Sequence, residues 1–212
     1  MTTVGVLALQ GDFTEHAAML TRLGVEAREV RTAEQLKGLD GLILPGGEST
    51  TFSRLIDDFR LFEPLSAFVL SGIPTWGTCA GMIMLARHAS DLPFPTLQAI
   101  DIEVDRNAYG RQVDSFEADI SVPAFARMGA RPGGADPFHA IFIRAPVVAS
   151  VGPEVEVLAT CAKAEGEPER PVAVRQGTVM ATSFHPELTD DTRFHRYFVD
   201  MVRTEGRSAG AK

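Results

Sequence analysis

Cysteine is scarce: two residues in 212, with no Cys-x-x-Cys pair. Two thiols cannot build a disulfide framework, and without paired cysteines no structural zinc is expected, so thiol chemistry belongs to single residues in a reducing compartment. Long apolar runs are missing as well. The first, Val6 to Leu9, has no basic segment before it and is far too short for a signal peptide or membrane span, which points to a cytoplasmic protein. No block of Lys or Arg occurs. With 20 basic against 28 acidic side chains, a net charge of −8 and a pI near 5.1, the chain has no electrostatic footprint for nucleic acid or anionic lipid. Internal repeats and low-complexity tracts are also lacking. A soluble enzyme, a binding domain or an assembly subunit remains.

The composition is otherwise ordinary, at 45% hydrophobic and 23% charged. At roughly 150 residues per domain the length favours one domain over two, and about 70% of the extended-chain surface is buried in a chain of this size. We expect a single domain over residues 1–205, with 206–212 a frayed tail.

Val4 to Leu9 is an aliphatic run ending at Gln10-Gly11-Asp12, and an amphipathic stretch follows from Phe13 to Leu23. Val25, Ala27 and Val30 suit a short strand, and Thr32 with Gln35 has capping-box spacing for a brief helix. Gly41 to Leu44 reads as a buried strand entering a sharp Pro45-Gly46-Gly47 loop. Helices are expected over Thr51 to Phe59, Glu63 to Leu70 and Met82 to His88, with a strand at Ile73 to Trp76. Apolar strands alternating with helices at short intervals are the pattern of a parallel sheet covered on both faces. The second half differs. Ile100 to Val104, Ser115 to Val122, Ala140 to Arg144, Val155 to Thr160, Pro171 to Arg175 and Val179 to Ser183 are strand-like with no long helix between them, which predicts an antiparallel, β-rich flank. Phe194, Tyr197, Phe198, Met201 and Val202 form one stripe of a closing helix. Residues 127–136 and 163–170, rich in Gly, Pro and charge, read as surface loops.

Gly77-Thr78-Cys79-Ala80-Gly81 lies between an apolar strand and an apolar helix, the layout of a nucleophile elbow with cysteine in the serine position. A tight strand-to-helix turn demands small residues on both sides, and both are Gly. The following helix N-terminus favours an anion and offers free N–H groups to a developing oxyanion. A buried structural cysteine in a Gly-rich turn fits the pentapeptide as well. Ser183-Phe184-His185-Pro186-Glu187 adds a histidine and a carboxylate at the end of the last strand. In extended backbone, residues two apart share a side, so Glu187 is placed to orient His185, while Pro186 bars helix there. The alternative is a histidine that only caps the sheet edge. A cysteine, a histidine and a carboxylate together supply nucleophile, general base and orienter. Leu44 to Thr51 is a strand end, a Gly pair and a helix start. Its N–H groups can turn to an anion, and Ser49 or Thr50 would cap the helix. Arg106 and Arg144 place cations just after strands, suited to gripping a carboxylate or simply to sitting at the surface.

These motifs together resemble the class I (triad) glutamine amidotransferases, and more closely the glutaminase subunits of pyridoxal 5′-phosphate synthases. The resemblance spans nearly the whole chain, through Val6 to Asp12, Pro45 to Thr51, Gly77 to Gly81, Arg106 to Gln112, Phe142 to Pro146 and Ser183 to Thr189. It implies a three-layer, flavodoxin-like fold with a mostly parallel central sheet. It also implies hydrolysis of L-glutamine to L-glutamate and ammonia by Cys79, His185 and Glu187, with Gly47 and Ala80 N–H groups as the oxyanion hole. Gly47, Glu48, Ser49, Arg106, Ile143 and Arg144 would bind the substrate. No cofactor and no metal are implied. The ammonia would pass to a separate (β/α)8 synthase subunit, in a large hetero-oligomer, for combination with ribose 5-phosphate and glyceraldehyde 3-phosphate, and the isolated glutaminase would have low activity until that partner stimulates it. A glutaminase serving another synthase, such as that of imidazole glycerol phosphate, shares the elbow and the His-Pro-Glu segment, and a non-catalytic subunit keeping the fold is a further alternative. Cys161 is expected to pack as a small hydrophobe. His16, His88, His139 and His195 lack a motif context and receive no catalytic role, with His16 expected near the partner surface.

Overall fold

Strands β1 (Thr3–Leu7), β3 (Gly41–Leu44), β4 (Thr75–Thr78) and β12 (Val179–Thr182) are buried at every position. A strand covered on both faces has no reason to alternate polar and apolar residues, and these four are almost continuously apolar or small. The computed structural model describes residues 2–106, 115–126, 136–164 and 166–209, without the side chains of 206–209. The string from Asn107 to Gln112, most of the loop at 127–136, one residue of the 163–170 loop and the last three residues lie outside that description.

The remaining elements follow in chain order. They are α1 (Phe13–Arg22), β2 (Glu26–Val30), a 3-10 turn (Ala33–Leu36), α2 (Ser49–Asp58), α3 (Phe62–Leu70), α4 (Ala80–Leu85), β5 (Ala86–Ala89), β6 (Ile100–Asp105), β7 (Ser115–Ile120), α5 (Pro123–Ala126), β8 (Phe138–Ile143), β9 (Val147–Val151), β10 (Glu156–Cys161), β11 (Arg170–Gln176), a 3-10 turn (Pro186–Leu188) and α6 (Arg193–Ala209). The main sheet has seven strands in the order β10-β11-β12-β4-β3-β1-β2. From β12 to β2 all neighbours run parallel, and β11 and β10 add an antiparallel edge.

Two apolar clusters line the two faces of this sheet. One holds Leu7, Leu42, Leu44, Phe52, Ile56, Leu65 and the whole of α4, together with Ile100, Ile102 and Val104 of the three-stranded sheet β5-β6-β9. The other holds Val4, Val6, Ile43, Trp76 and Met180 under α1, α6 and the β7-β8 hairpin. The result is three layers, as the resemblance implies. The apolar stripe of α6 is on its core side: Phe194, Phe198, Met201 and Val202 are buried, and Tyr197 packs against them. Cys161 also packs on this cluster, half-buried.

Two elements here differ from the sequence reading. The stretch Met82 to His88 is helical only to Leu85, because Ala86–Ala89 pairs with β6. Strand β9, not anticipated, lies antiparallel to the other edge of β6. The β-rich flank is therefore split between the edge of the main sheet, a three-stranded sheet on one face and a hairpin on the other. Two strands of these covering layers alternate: β6 buries every second residue and β8 follows the same period, as expected where one side only is packed.

Candidate active site

Four adjacent parallel strands deliver their following loops to one edge of the sheet, the carboxyl ends where open α/β sheets build their sites. Gln10-Gly11-Asp12 follows β1, Gly46-Gly47-Glu48 follows β3, Cys79 follows β4, and His185 lies three residues beyond β12. Thr78 is in register with Thr182, and the Cys79 N–H donates to the Thr182 carbonyl at 2.8 Å. The elbow is thereby stapled to the strand that carries the histidine.

Cys79 has φ 47° and ψ −103°, a strained position for a residue with a side chain. The surroundings impose it. A side chain at Gly77 would collide with the Gly81 backbone, and one at Gly81 with the Leu44 carbonyl, so only glycines let α4 start this close to the sheet. The helix begins at Ala80, leaving its first N–H groups without intrahelical acceptors. The Cys79 thiol lies 3.9 Å from the Ile143 carbonyl at the end of β8 and within hydrogen-bonding reach of His185.

His185 is held from three sides. Its N–H donates to the Ile141 carbonyl at 2.9 Å, its Nδ1 lies 2.8 Å from Glu187 Oε1, and the same nitrogen is 3.3 Å from Asp12 Oδ2. Burial opposes a charge on the imidazole, but the hydrogen bonds with Asp12, Cys79 and Glu187 outweigh it and raise its pKa well above the ordinary value. Burial also raises the Glu187 carboxyl, against the opposing bond and charge of His185. The contact between His185 and Glu187 was expected, but its backbone was not. Pro186–Leu188 is a 3-10 turn rather than extended chain, with Pro186 in its first position, where the missing N–H costs nothing. Asp12, His185 and Glu187 bring ligand-type atoms within 4.8 Å of one another, and both carboxylates turn to the one imidazole nitrogen, a hydrogen-bonded charge cluster.

The Gly46-Gly47 loop is braced by Gln10. Gln10 Nε2 donates to the Gly46 carbonyl at 3.2 Å, and its Oε1 accepts from the Glu48 N–H at 3.1 Å. Since the Gly46-Gly47 peptide is trans, its N–H points away from Gln10. Helix α2 starts at Ser49, two residues earlier than expected, and neither Ser49 nor Thr50 caps it. The Glu48 carboxylate does, accepting from the Thr50 N–H at 2.9 Å and the Thr51 N–H at 2.7 Å. Burial works against its charge, yet these bonds pull its pKa to about 2. A cap whose pKa is depressed stabilises the fold above the ordinary carboxyl value of 4.5 and loses that effect as pH falls toward 2. Glu48→Ala is therefore expected to lower stability by at most about 1 kcal/mol at neutral pH, the side chain being mostly open to solvent. The two proteins should converge in urea melts run near pH 2.

Arg106 reaches the same helix start: its Nε donates to Ser49 Oγ at 3.0 Å, one terminal nitrogen to Thr50 Oγ1 at 2.9 Å and the other to the Asp91 carbonyl at 2.6 Å. Three of its five N–H groups fix the loop in this way. Arg144, just past β8, is exposed at φ 45° beside Ile143, which is 37% exposed. The sequence reading had given no role to Gln10, Asp12 or Thr78. Their sequence signals are position, at the carboxyl ends of β1 and β4, and membership of the motif segments Val6 to Asp12 and Gly77 to Gly81. His16 is fully buried beneath the site rather than near a partner surface, because α1 turns that face to β4. His88 and His139 are exposed on β5 and β8.

Comparison with known proteins decides the family. The model of the SNO glutamine amidotransferase family matches residues 6–204. The chain belongs to the SNO glutamine amidotransferase family. It is accordingly an enzyme that releases ammonia from the side-chain amide of glutamine. The chain is 53% identical over 205 residues to the pyridoxal 5′-phosphate synthase subunit PdxT of Frankia alni, covering 96% of each. It is 48% identical to the PdxT subunit of Carboxydothermus hydrogenoformans, over 94% of this chain and 97% of that one. A crystal structure of a glutamine amidotransferase superposes with a TM-score of 0.81 at 48% identity, covering 94% of this chain and 98% of the other. PurLQS from Thermotoga maritima, at 14% identity and a TM-score of 0.69, shares the fold. Among the described residues no helix is long and apolar enough to cross a membrane.

Proposed function

We propose that the chain is the glutaminase subunit of a cytoplasmic pyridoxal 5′-phosphate synthase, folded as a single domain. The observation that carries the catalytic part is the meeting of the strained Cys79 with a His185 that Glu187 holds by Nδ1. The Cys79 sulfur attacks the side-chain carbonyl carbon of glutamine. The oxyanion is received by the Gly47 and Ala80 N–H groups. His185 gives its proton to the departing ammonia, leaving a γ-glutamyl thioester, and then takes a proton from water, whose oxygen displaces the sulfur to release glutamate. Glu187 keeps the imidazole in the tautomer and orientation this exchange needs.

Gly47, Glu48, Ser49, Arg106, Ile143 and Arg144 surround the substrate in this reading. Both carboxylate oxygens of Glu48 are engaged in the cap, so its contact with glutamine falls to the main chain. The Ile143 carbonyl, close to the thiol, suits the glutamine amino group. The identity of the relatives, about half of all residues over nearly their full length, supports the synthase assignment. A (β/α)8 synthase subunit would take the ammonia, combine it with ribose 5-phosphate and glyceraldehyde 3-phosphate, and form a large hetero-oligomer with the glutaminase. That partner would stimulate hydrolysis by reorienting the Gly46-Gly47 peptide against its Gln10 brace.

The test is to mix the protein with such a synthase and follow labelled amide nitrogen from glutamine. Nitrogen in pyridoxal 5′-phosphate and a rise in glutamine turnover are expected. Full turnover by the isolated chain, unchanged on adding the synthase, would overturn the subunit assignment.

A further inference from the structure

We infer that His16, backed by His195, is a positioning residue of the triad, its Nε2–H facing the outer oxygen of Glu187 and keeping that buried carboxylate charged and turned to His185. The inference rests on Cys79, His185 and Glu187 being the triad.

The two oxygens of Glu187 have different surroundings. Oε1 takes His185 Nδ1, whereas Oε2 is buried with no hydrogen bond of good geometry among the described residues. Within reach of Oε2 is His16 Nε2, at 3.3 Å, which is also 3.2 Å from Thr78 Oγ1. One N–H is thus divided between a hydroxyl and a carboxylate oxygen. An ionised oxygen out of water with no donor at all would be strongly destabilised, so this shared proton matters.

The proton positions follow from the neighbours. Neutral imidazole has one N–H, and a bare lone pair on His16 Nε2 would repel the carboxylate, so Nε2 carries the proton and Nδ1 accepts. That acceptor meets His195 Nε2 at 2.9 Å, which must then be the protonated nitrogen of His195. His195 Nδ1 is left as a lone pair, and among the described residues it is buried without a hydrogen-bond partner. Every donor in the row therefore points toward Glu187, and the row ends on the atom that needs no proton.

Burial, His195 and His185 together hold the His16 pKa well below its ordinary value. Burial and the charge of Arg22 pull His195 to about 3. Around these rings stand Glu187 from the 3-10 turn, Thr78 and Trp76 from β4, His185 beyond β12, Arg22 on α1 and Asp12 at its start. Neither ring gains a charge at working pH, so the donor directions are fixed. Both rings also meet Trp76 edge-on, with centroids at 5.5 and 4.9 Å, and Trp76 Nε1 donates to Thr182 Oγ1. The row is thus wedged against the two strands that hold Cys79 and His185.

The test compares His16→Leu, which removes the donor, with His16→Gln, which keeps one at similar reach, in the glutaminase–synthase complex. His16→Leu is expected to lower kcat roughly 10- to 100-fold, the worth of one hydrogen bond to a charged group, with KM within about twofold. The acid limb of its kcat profile should move to higher pH, because Glu187 then stays protonated further up, and His16→Gln should restore rate and limb. A His16→Leu protein with the parent kcat and acid limb would overturn the inference. So would 15N spectra of the unsubstituted protein showing the proton of His16 on Nδ1, a measurement that needs no variant to fold. Ammonia production surviving in Cys79→Ala would remove the triad and this inference together, whereas those two results remove the His16 role alone.

Discussion

Cys79→Ala is expected to abolish glutamine hydrolysis, with kcat falling on the order of 10⁵- to 10⁶-fold, the scale seen when a triad nucleophile is removed. The loss should be chemical and not structural. Cys79 is 5% exposed, and alanine fills the first part of its space without demanding a new backbone. Positive φ is no easier for cysteine than for alanine, so the elbow keeps its strain and its stapling to Thr182. The variant should bind glutamine, melt within about 1 kcal/mol of the parent, and fail to react with a glutamine-mimicking diazoketone that labels the parent. Labelling at another residue, or ammonia release at the parent rate, would show that the elbow cysteine is not the nucleophile.

Gly46→Ala should be strongly damaging although it leaves all three triad residues unsubstituted. A Cβ there would run into the His185 ring, meeting Cε1 at collision distance and Nδ1 at 2.9 Å. Nδ1 is the atom shared by Glu187 and Asp12, so the ring cannot retreat without loosening both contacts. It must tilt, or the Gly46-Gly47 peptide must shift away from Gln10. Either movement misplaces the base or the oxyanion donor, and displacement by about 1 Å is worth about 100-fold in rate. We expect kcat to fall at least that far, with the diazoketone still labelling Cys79, though more slowly. An alanine variant with the parent kcat would mean that the Gly46 loop and the imidazole are not mechanically joined.

The sequence showed the chemistry better than the covering layers. The elbow was legible because close approach writes itself into composition: two glycines flank Cys79, and each is required by a specific backbone neighbour. The buried strands were legible because coverage on both faces leaves a continuous apolar run, as in Gly41–Leu44, whose bounds agree with the sequence reading. Ala86–Ala89 was not legible, since Arg87 and His88 continue a helical pattern locally, and only pairing with β6 makes the segment a strand. Strand β9 escaped for a similar reason: it is half-exposed, short, and defined by its partner. The cap of α2 was misplaced because Ser49 and Thr50 are better caps by type than Glu48, and geometry alone selects the longer carboxylate. His16 carried no motif, and burial against Glu187 comes from the angle between α1 and β4, which no local pattern encodes.

The pairing of β4 with β12 also has a consequence in time. The nucleophile and its base lie about a hundred residues apart in the chain, on strands that become neighbours only when the last parallel strand is added. At ribosomal speeds of roughly 5–20 residues per second, the base emerges some 5–20 s after the nucleophile. For that interval a nascent chain holds the nucleophile without its base and without the strand that staples the elbow, so neither half of the site is assembled before the other.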